Sequence, residues 1–315
     1  MIDGWSGALA GQAACIAAAL FWAVAVGLFR KPVDRYGARS VNTVKCLIAA
    51  VLQGLTVWAL GLQGTLFAAP LRSILLVAAS GLIGLVLGDT ALFAAVARIG
   101  VHRTLLLQTL APVFAALIGL VWLGERLVPT QLGSALLILV GIAMVVAPRR
   151  GGGGSGSVPG GTVARSGSAT HLLAVGALLG VLAAFGQGAG IVVAKAGMRE
   201  LSFIPASFLR LGTAALGLLL IEMASGRLGR LAELLRDRKA MARVVPGTLL
   251  GTYMALFLMM AGVALAPAPV AAVLLGTSPV FSLFLEAFTE KRPITLRGLL
   301  GTLLAVAGVG VLSIF

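Results

Sequence analysis

Charge is what this sequence has least of: only 11% of its residues are Asp, Glu, Lys or Arg, and just 10 of the 315 are acidic. A soluble domain cannot dispense with charge in this way, because its surface would then be mostly apolar. Cysteine is nearly absent. Cys15 and Cys46 both fall inside apolar runs, which reads as two small buried hydrophobes rather than a disulfide or a metal site. Histidine is equally scarce. His102 and His171 read as loop residues far apart in the chain, leaving little with which to build an enzyme's nucleophile–base pair or a metal centre. No Gly-rich Lys-Ser/Thr phosphate loop occurs, so nothing points to nucleotide hydrolysis. The start carries Asp3 rather than a basic stretch, and its first apolar run is long enough to span a bilayer. It is therefore expected to be a span and not a cleaved leader.

What the chain has instead is apolar length. Hydrophobic residues make up 59% of it, and the mean hydropathy is +1.07. Apolar runs of about 20 residues recur throughout, the length an α-helix needs to cross the hydrocarbon layer. They are apolar all round, unlike the alternating strands of a membrane barrel. Ten spans are predicted: 9–29, 41–60, 74–97, 105–123, 131–147, 172–194, 203–223, 244–265, 268–288 and 298–314. Residues 148–171 are Gly/Ser-rich and aperiodic and read as a linker between a first unit, 1–147, and a second, 172–315. Residues 224–243 have the pattern of a short amphipathic surface helix.

The two units resemble each other. Phe21 to Lys31 recurs as Phe185 to Lys195, and Ala-Leu-Phe at 91–93 recurs at 255–257, both at an offset of 164. Pro112-Val113-Phe114 recurs as Pro279-Val280-Phe281, and the early cation Lys45 as Arg210. Five spans per unit is odd, so the second copy must enter the membrane from the other side. The fold expected is an all-α integral membrane protein with ten transmembrane helices as two inverted five-helix repeats, an arrangement typical of secondary transporters. The net charge of +14 fits this reading rather than nucleic-acid binding, because no polar domain exists to hold a basic face. Of the 24 Lys and Arg, 18 fall in loops on one side and 4 on the other. The positive-inside rule makes the rich side cytoplasmic, places both termini outside, and fits a multi-pass plasma-membrane (inner-membrane) protein.

Several motifs resemble the EamA family of the drug/metabolite transporter superfamily, once per half. They are GDTALFAAVARIG at 88–100, LAPVFAALIGLVWLGERL at 110–127 and QLGSALLILVGIAMV at 131–145. The second half offers GTYMALFLMMAG at 251–262, TSPVFSLFLEAFTEKR at 277–292 and GLLGTLLAVAGVGVL at 298–312. It departs in its acids: Glu125 lies 13 residues after Pro112, Glu290 only 11 after Pro279, and Glu286 has no counterpart. The resemblance implies ten helices around a central cavity and movement of small metabolites, often export of amino acids. It implies no ATPase, and cytoplasmic termini, the reverse of the charge count; no cofactor is expected.

Ionisable groups within a span cost roughly 2.5–3.5 kcal/mol at the helix centre, so they mark cavities or partners. Asp89, deep in the third span, is the first candidate, as a cavity carboxylate or as a structural one. Its repeat counterpart, Tyr253, is also polar. Lys45 either faces the cavity or snorkels to the interface, and Asn42 lies three residues earlier on its face. Arg210 is too deep to snorkel readily. Glu286 is open to pairing with a cation, to binding protons, or to an interfacial role. Glu125 reads mainly as a cap, and Lys31 and Lys195 as helix-end anchors. Gln108, Gln187 and Trp22 lie near Pro or Gly breaks, Gln108 being the residue whose carbonyl Pro112 would free. The Gly81/Gly84/Gly88 and Gly186/Gly190 spacings allow close helix approach.

The function expected is secondary transport of a small-molecule solute by alternating access within the lipid bilayer, with proton coupling through Asp89 or Glu286 open to it. The alternative is a membrane protein without transport, an intramembrane enzyme or a scaffold. A monomer and a homodimer are both compatible with the sequence.

Overall fold

A computed structural model describes residues 2–123, 129–146, 166–198, 200–265, 268–290 and 294–314. Every regular element among them is helical. The first unit contains α1 (Ile2–Tyr36), α2 (Ala38–Ala59), the short α3 (Gln63–Ala68), α4 (Leu71–Gly81), a π-helical segment Leu82–Asp89, α5 (Thr90–Ile99), α6 (Val101–Gln108), α7 (Ala111–Leu123) and α8 (Pro129–Val146). The second contains α9 (Ser166–Gly197), α10 (Phe203–Ala224), α11 (Leu228–Arg236), α12 (Arg238–Gly247), a π-helical segment Thr248–Met254, α13 (Ala255–Leu265), α14 (Ala268–Leu275), α15 (Ser278–Glu290) and α16 (Leu296–Ile314).

Seven helical stretches among these residues are long and apolar enough to cross a membrane. They coincide with the first, second, third, fourth, sixth, seventh and eighth predicted spans. Three shorter apolar helices, Gly133–Val145, Val273–Thr289 and Leu296–Val311, coincide with the other three. The first helix runs on to Tyr36, seven residues past its predicted end, and turns into α2 through one residue, Gly37, whose φ of 86° suits glycine. The last six residues of the predicted linker, from Ser166, are already helical, so His171 is an exposed helix residue and not a loop residue. Residues 147–165 and the pair Glu125–Arg126 lie outside the described residues. The predicted amphipathic helix is α11, with Leu231 and Leu234 buried and most of its remaining residues exposed.

Burial is inverted relative to a soluble helix. On α2 the side chains of Asn42, Thr43, Lys45 and Gln53 are buried, while Val51, Leu55 and Trp58 point outward at 58–74% exposure. An apolar solvent imposes this order, since buried polar groups must find partners inside.

The two halves carry the same irregularities in the same places. Each has a π-helical segment in its third long helix, at 82–89 and 248–254. Each has a break two residues before its Pro, at Thr109–Leu110 and Gly276–Thr277. Equivalent helices meet antiparallel. Along α2 and α10, Arg39 meets Glu222 and Gly54 meets Phe208. Along α8 and α16, Gly141 meets Gly301 and Ala305, while Ile138 meets Gly308.

The two ends of the α2–α10 contact differ. At one end Glu222, fully buried, accepts hydrogen bonds from Arg39 Nε at 3.1 Å and Ser40 Oγ at 3.1 Å. At the other end the repeat places Ile204 and Pro205 where Arg39 and Ser40 would be, and Val57 where Glu222 would be. Gly54 lies there against the ring of Phe208. The ionic end also holds Asp237, between α11 and α12, which accepts from Arg35 at 2.9 Å and from Tyr36 at 2.8 Å.

Candidate functional site

The site begins with glycine. α9 crosses the third helix of the first half where a Cβ on Gly186 would lie 2.8 Å from the Gly88 Cα, and one on Gly190 2.9 Å from the Gly84 Cα. Nothing larger than hydrogen fits, which brings Gln187, between these two glycines, into reach of the π-helical segment. That segment's altered hydrogen bonding presents carbonyls to side chains, a habit of π turns at functional positions. Leu85 accepts from Asn42 Nδ2 at 2.8 Å, and Gly84 accepts from Gln187 Nε2 at 3.4 Å. Asn42 also donates to Thr90 Oγ1 at 2.9 Å.

The segment ends on Asp89, 2% exposed. Its Oδ2 is ion-paired with Lys45 Nζ, and its Oδ1 accepts from Gln187 Nε2. Lys45 is itself buried, with Nζ 5.3 Å from the centre of the Phe93 ring. Snorkelling is thereby excluded for Lys45, and Asp89 is a paired carboxylate. Cys46 Sγ donates to Asn42 Oδ1 at 3.5 Å, as a buried, free thiol.

Arg210 approaches the same segment from α10. Because α2 and α10 run antiparallel, the two repeat-related cations enter from opposite ends. Each lies seven residues past the start of its helix, about 10 Å along the axis at 1.5 Å per residue. Gly84 and Gly190 make room for the guanidinium: a Cβ on Gly84 would lie 2.5 Å from Nη2, and one on Gly190 3.2 Å from it. The Nε of Arg210 is buried without a hydrogen-bond partner among the described residues. Asp89 acts on Arg210 through its field, without a direct bond.

Asn42, Lys45, Asp89, Gln187 and Arg210 are thus brought together. Tyr253, Trp22, Gln108 and Glu286 are placed elsewhere. Tyr253, half-buried on the second π segment, shares a 2.7 Å hydrogen bond with Thr56 and stacks edge-on with Phe257 at 5.0 Å. Trp22 packs against Gly251, on the same π segment as Tyr253. Gln108 sits at the helix break with Nε2 unpartnered. Glu286 Oε1 accepts the backbone N–H of His102 at 3.0 Å, closing the start of α6. Lys31 and Lys195 are exposed.

Sequence reasoning missed two buried groups. His102 is not a loop residue: it is 5% exposed within α6, its Nδ1 3.0 Å from the Pro279 carbonyl, which can only accept, so Nδ1 carries the proton. Ser282 and Thr302 lie 3.4 Å from its two ring nitrogens. Glu222 lay in plain view as an acid in an apolar run, the same signal that marked Asp89.

The helical membrane architecture, the doubled π turns and the polar cluster where the halves meet define a class of duplicated membrane transport folds. The chain belongs to the EamA-like transporter family, which matches residues 9–147 and again 174–314. A crystal structure of a protein with 19% sequence identity superposes with a TM-score of 0.61 over 98% of this chain and 96% of that one, a likeness of fold. No match was found among curated proteins.

Proposed function

We propose that this protein is a secondary transporter that crosses the membrane ten times as two inverted five-helix repeats and moves small metabolites, amino acids among them, by alternating access. The observation that carries the reading is the cluster of Lys45, Asp89, Gln187 and Arg210. It draws on both repeats, is buried at Lys45 and Asp89 and half-buried at Gln187 and Arg210, and lies on the α2–α10 and third-helix–α9 contacts, where the halves meet. A scaffold has no need of buried charge there, and charge in such a place costs free energy that function must justify. Rocking of one half against the other would expose the cluster to each side in turn. The basic loops orient the molecule in the plasma membrane with its termini outside, and export is the direction the family favours.

Asp89 is also the natural carrier if protons drive the cycle. The test is uptake into proteoliposomes across a metabolite panel, with and without a pH gradient, for the wild type and Asp89→Asn. Transport of at least one solute is expected, with its pH response blunted in Asp89→Asn. Unchanged transport and unchanged pH response in that variant would remove Asp89 from the mechanism. Movement of no solute at all would count against the transporter reading itself.

A further inference from the structure

We infer that the ligand of this site is a small organic anion, its carboxylate or phosphate group held by Arg210. As cargo the anion rests on the transporter reading; as a bound ligand it does not.

The charges decide the class. At their ordinary ionisation the cluster holds two cations, Lys45 and Arg210, and one carboxylate, Asp89. Both oxygens of Asp89 are engaged, Oδ2 by Lys45 and Oδ1 by Gln187, and its charge is already offset by that of Lys45. Arg210 is the opposite case. No carboxylate among the described residues lies within ion-pair distance of it, and its Nε is buried and unpartnered. The other buried or half-buried acids that reach inward are committed: Glu222 to Arg39 and Ser40, Glu286 to the His102 amide. Arg210 is half-buried with its Nε covered; a guanidinium so placed without a counter-charge is costly, and its planar fork matches carboxylate or phosphate oxygens two at a time. Room for the fork comes from hydrogen atoms alone at Gly84 and Gly190. One further negative charge neutralises the cluster, which favours a ligand of net negative charge, an acidic amino acid included, over a neutral zwitterion, a cation or an uncharged solute.

The experiment measures thermal unfolding of the full chain in detergent, at matched ionic strength, while titrating lactate, glycerol phosphate, choline or glycerol. The same probes are then followed into proteoliposomes. A ligand that binds only the folded state raises the midpoint in a saturable way. Lactate or glycerol phosphate is expected to do so, choline and glycerol are not, and whichever anion acts tells carboxylate from phosphate. Arg210→Gln should weaken the anion's apparent affinity about tenfold or more, with Arg210→Lys in between, because it keeps the charge and loses the fork. The inference is overturned if neither anion acts on the wild type, if choline or glycerol acts as strongly, or if Arg210→Gln binds the anion as well as the wild type does. If Arg210→Gln does not fold, probe selectivity and Arg210→Lys decide, and an unchanged affinity in Arg210→Lys overturns the fork. Choline or glycerol moving while the anions do not would sink the inference and keep the transporter. Anion-dependent stabilisation without movement of any probe would do the reverse.

Discussion

Lys45 and Asp89 hold each other in place, and the energy of that pair resides in the consequence of breaking it. Removing one partner leaves a buried charge uncompensated, at a cost of about 3–5 kcal/mol, whereas replacing both by apolar groups avoids that penalty. Lys45→Met alone is therefore expected to destabilise by about that amount, and Lys45→Met with Asp89→Leu by distinctly less than the sum of the two single changes. Chemical unfolding in detergent of the four proteins of the cycle measures it, and strict additivity would show that the pair carries no coupling. Gly84→Ala tests the neighbouring residue. Its Cβ would stand 2.5 Å from Arg210 Nη2, so the guanidinium must swing away; because only the end of a long side chain moves, the midpoint of unfolding should change little while the anion's apparent affinity falls, and a titration of the variant in detergent measures both. These residues were legible in the sequence because a polar group in an apolar run is conspicuous, and the rule that buried charges seek partners names the cluster. Their geometry was not legible. Tyr253 and Glu286 obey the same rule and satisfy it elsewhere, against Thr56 and the His102 amide. His102 was hidden because it stands beside Arg103 at a span boundary, with side-chain partners 180 and 200 residues away.

At the scale of elements, the span positions follow from hydropathy and the π segments do not. Pro246 lies just ahead of the second π segment, and Gly84 and Gly88 lie within the first, but no periodicity announces an i→i+5 turn. The breaks at 109–110 and 276–277 were more legible, since Pro112 and Pro279 remove a donor and crowd the preceding turn. The α11–α12 corner offers its own test. Asp237 is the N-cap of α12, accepting from the N–H groups of Lys239 at 2.9 Å and Ala240 at 3.1 Å. The Tyr36 hydroxyl, then the Ala240 amide, hold its carboxyl below the usual carboxylate range. A group lowered in the folded state stabilises above its ordinary value, about 4, and that contribution is lost as the pH falls through the lower folded value. The protection of amides 239–241 from hydrogen exchange, relative to the unstructured rate at each pH, should therefore fall on acidification through that window. Asp237→Ala should show that low protection at every pH.

For the molecule as a whole, duplication was readable from a near-constant offset, and the antiparallel meeting of α2 with α10 and of α8 with α16 gives that offset its spatial meaning. The proposed orientation, with both termini outside, rests on the loop charges and has its own test. A phosphatase fused to the C-terminus should be active, because the enzyme matures only outside the cytoplasm. A fluorescent fusion that glows inside would reverse the placement of every loop.

The unlike ends of the α2–α10 seam give the fused chain a freedom that two identical subunits would lack. A homodimer made of one repeat must close both of its mouths with the same chemistry, since each change is written twice. Here a single substitution alters one mouth and leaves the other as it was. The Arg39–Glu222 mouth will tolerate changes in side-chain size and fail on the loss of one charge. The Gly54–Phe208 mouth will ignore charge elsewhere and fail on a change of volume. In the alternating-access cycle proposed above, the two opening steps can therefore drift apart in rate, so that such a cycle acquires a preferred resting side without any alteration at its centre.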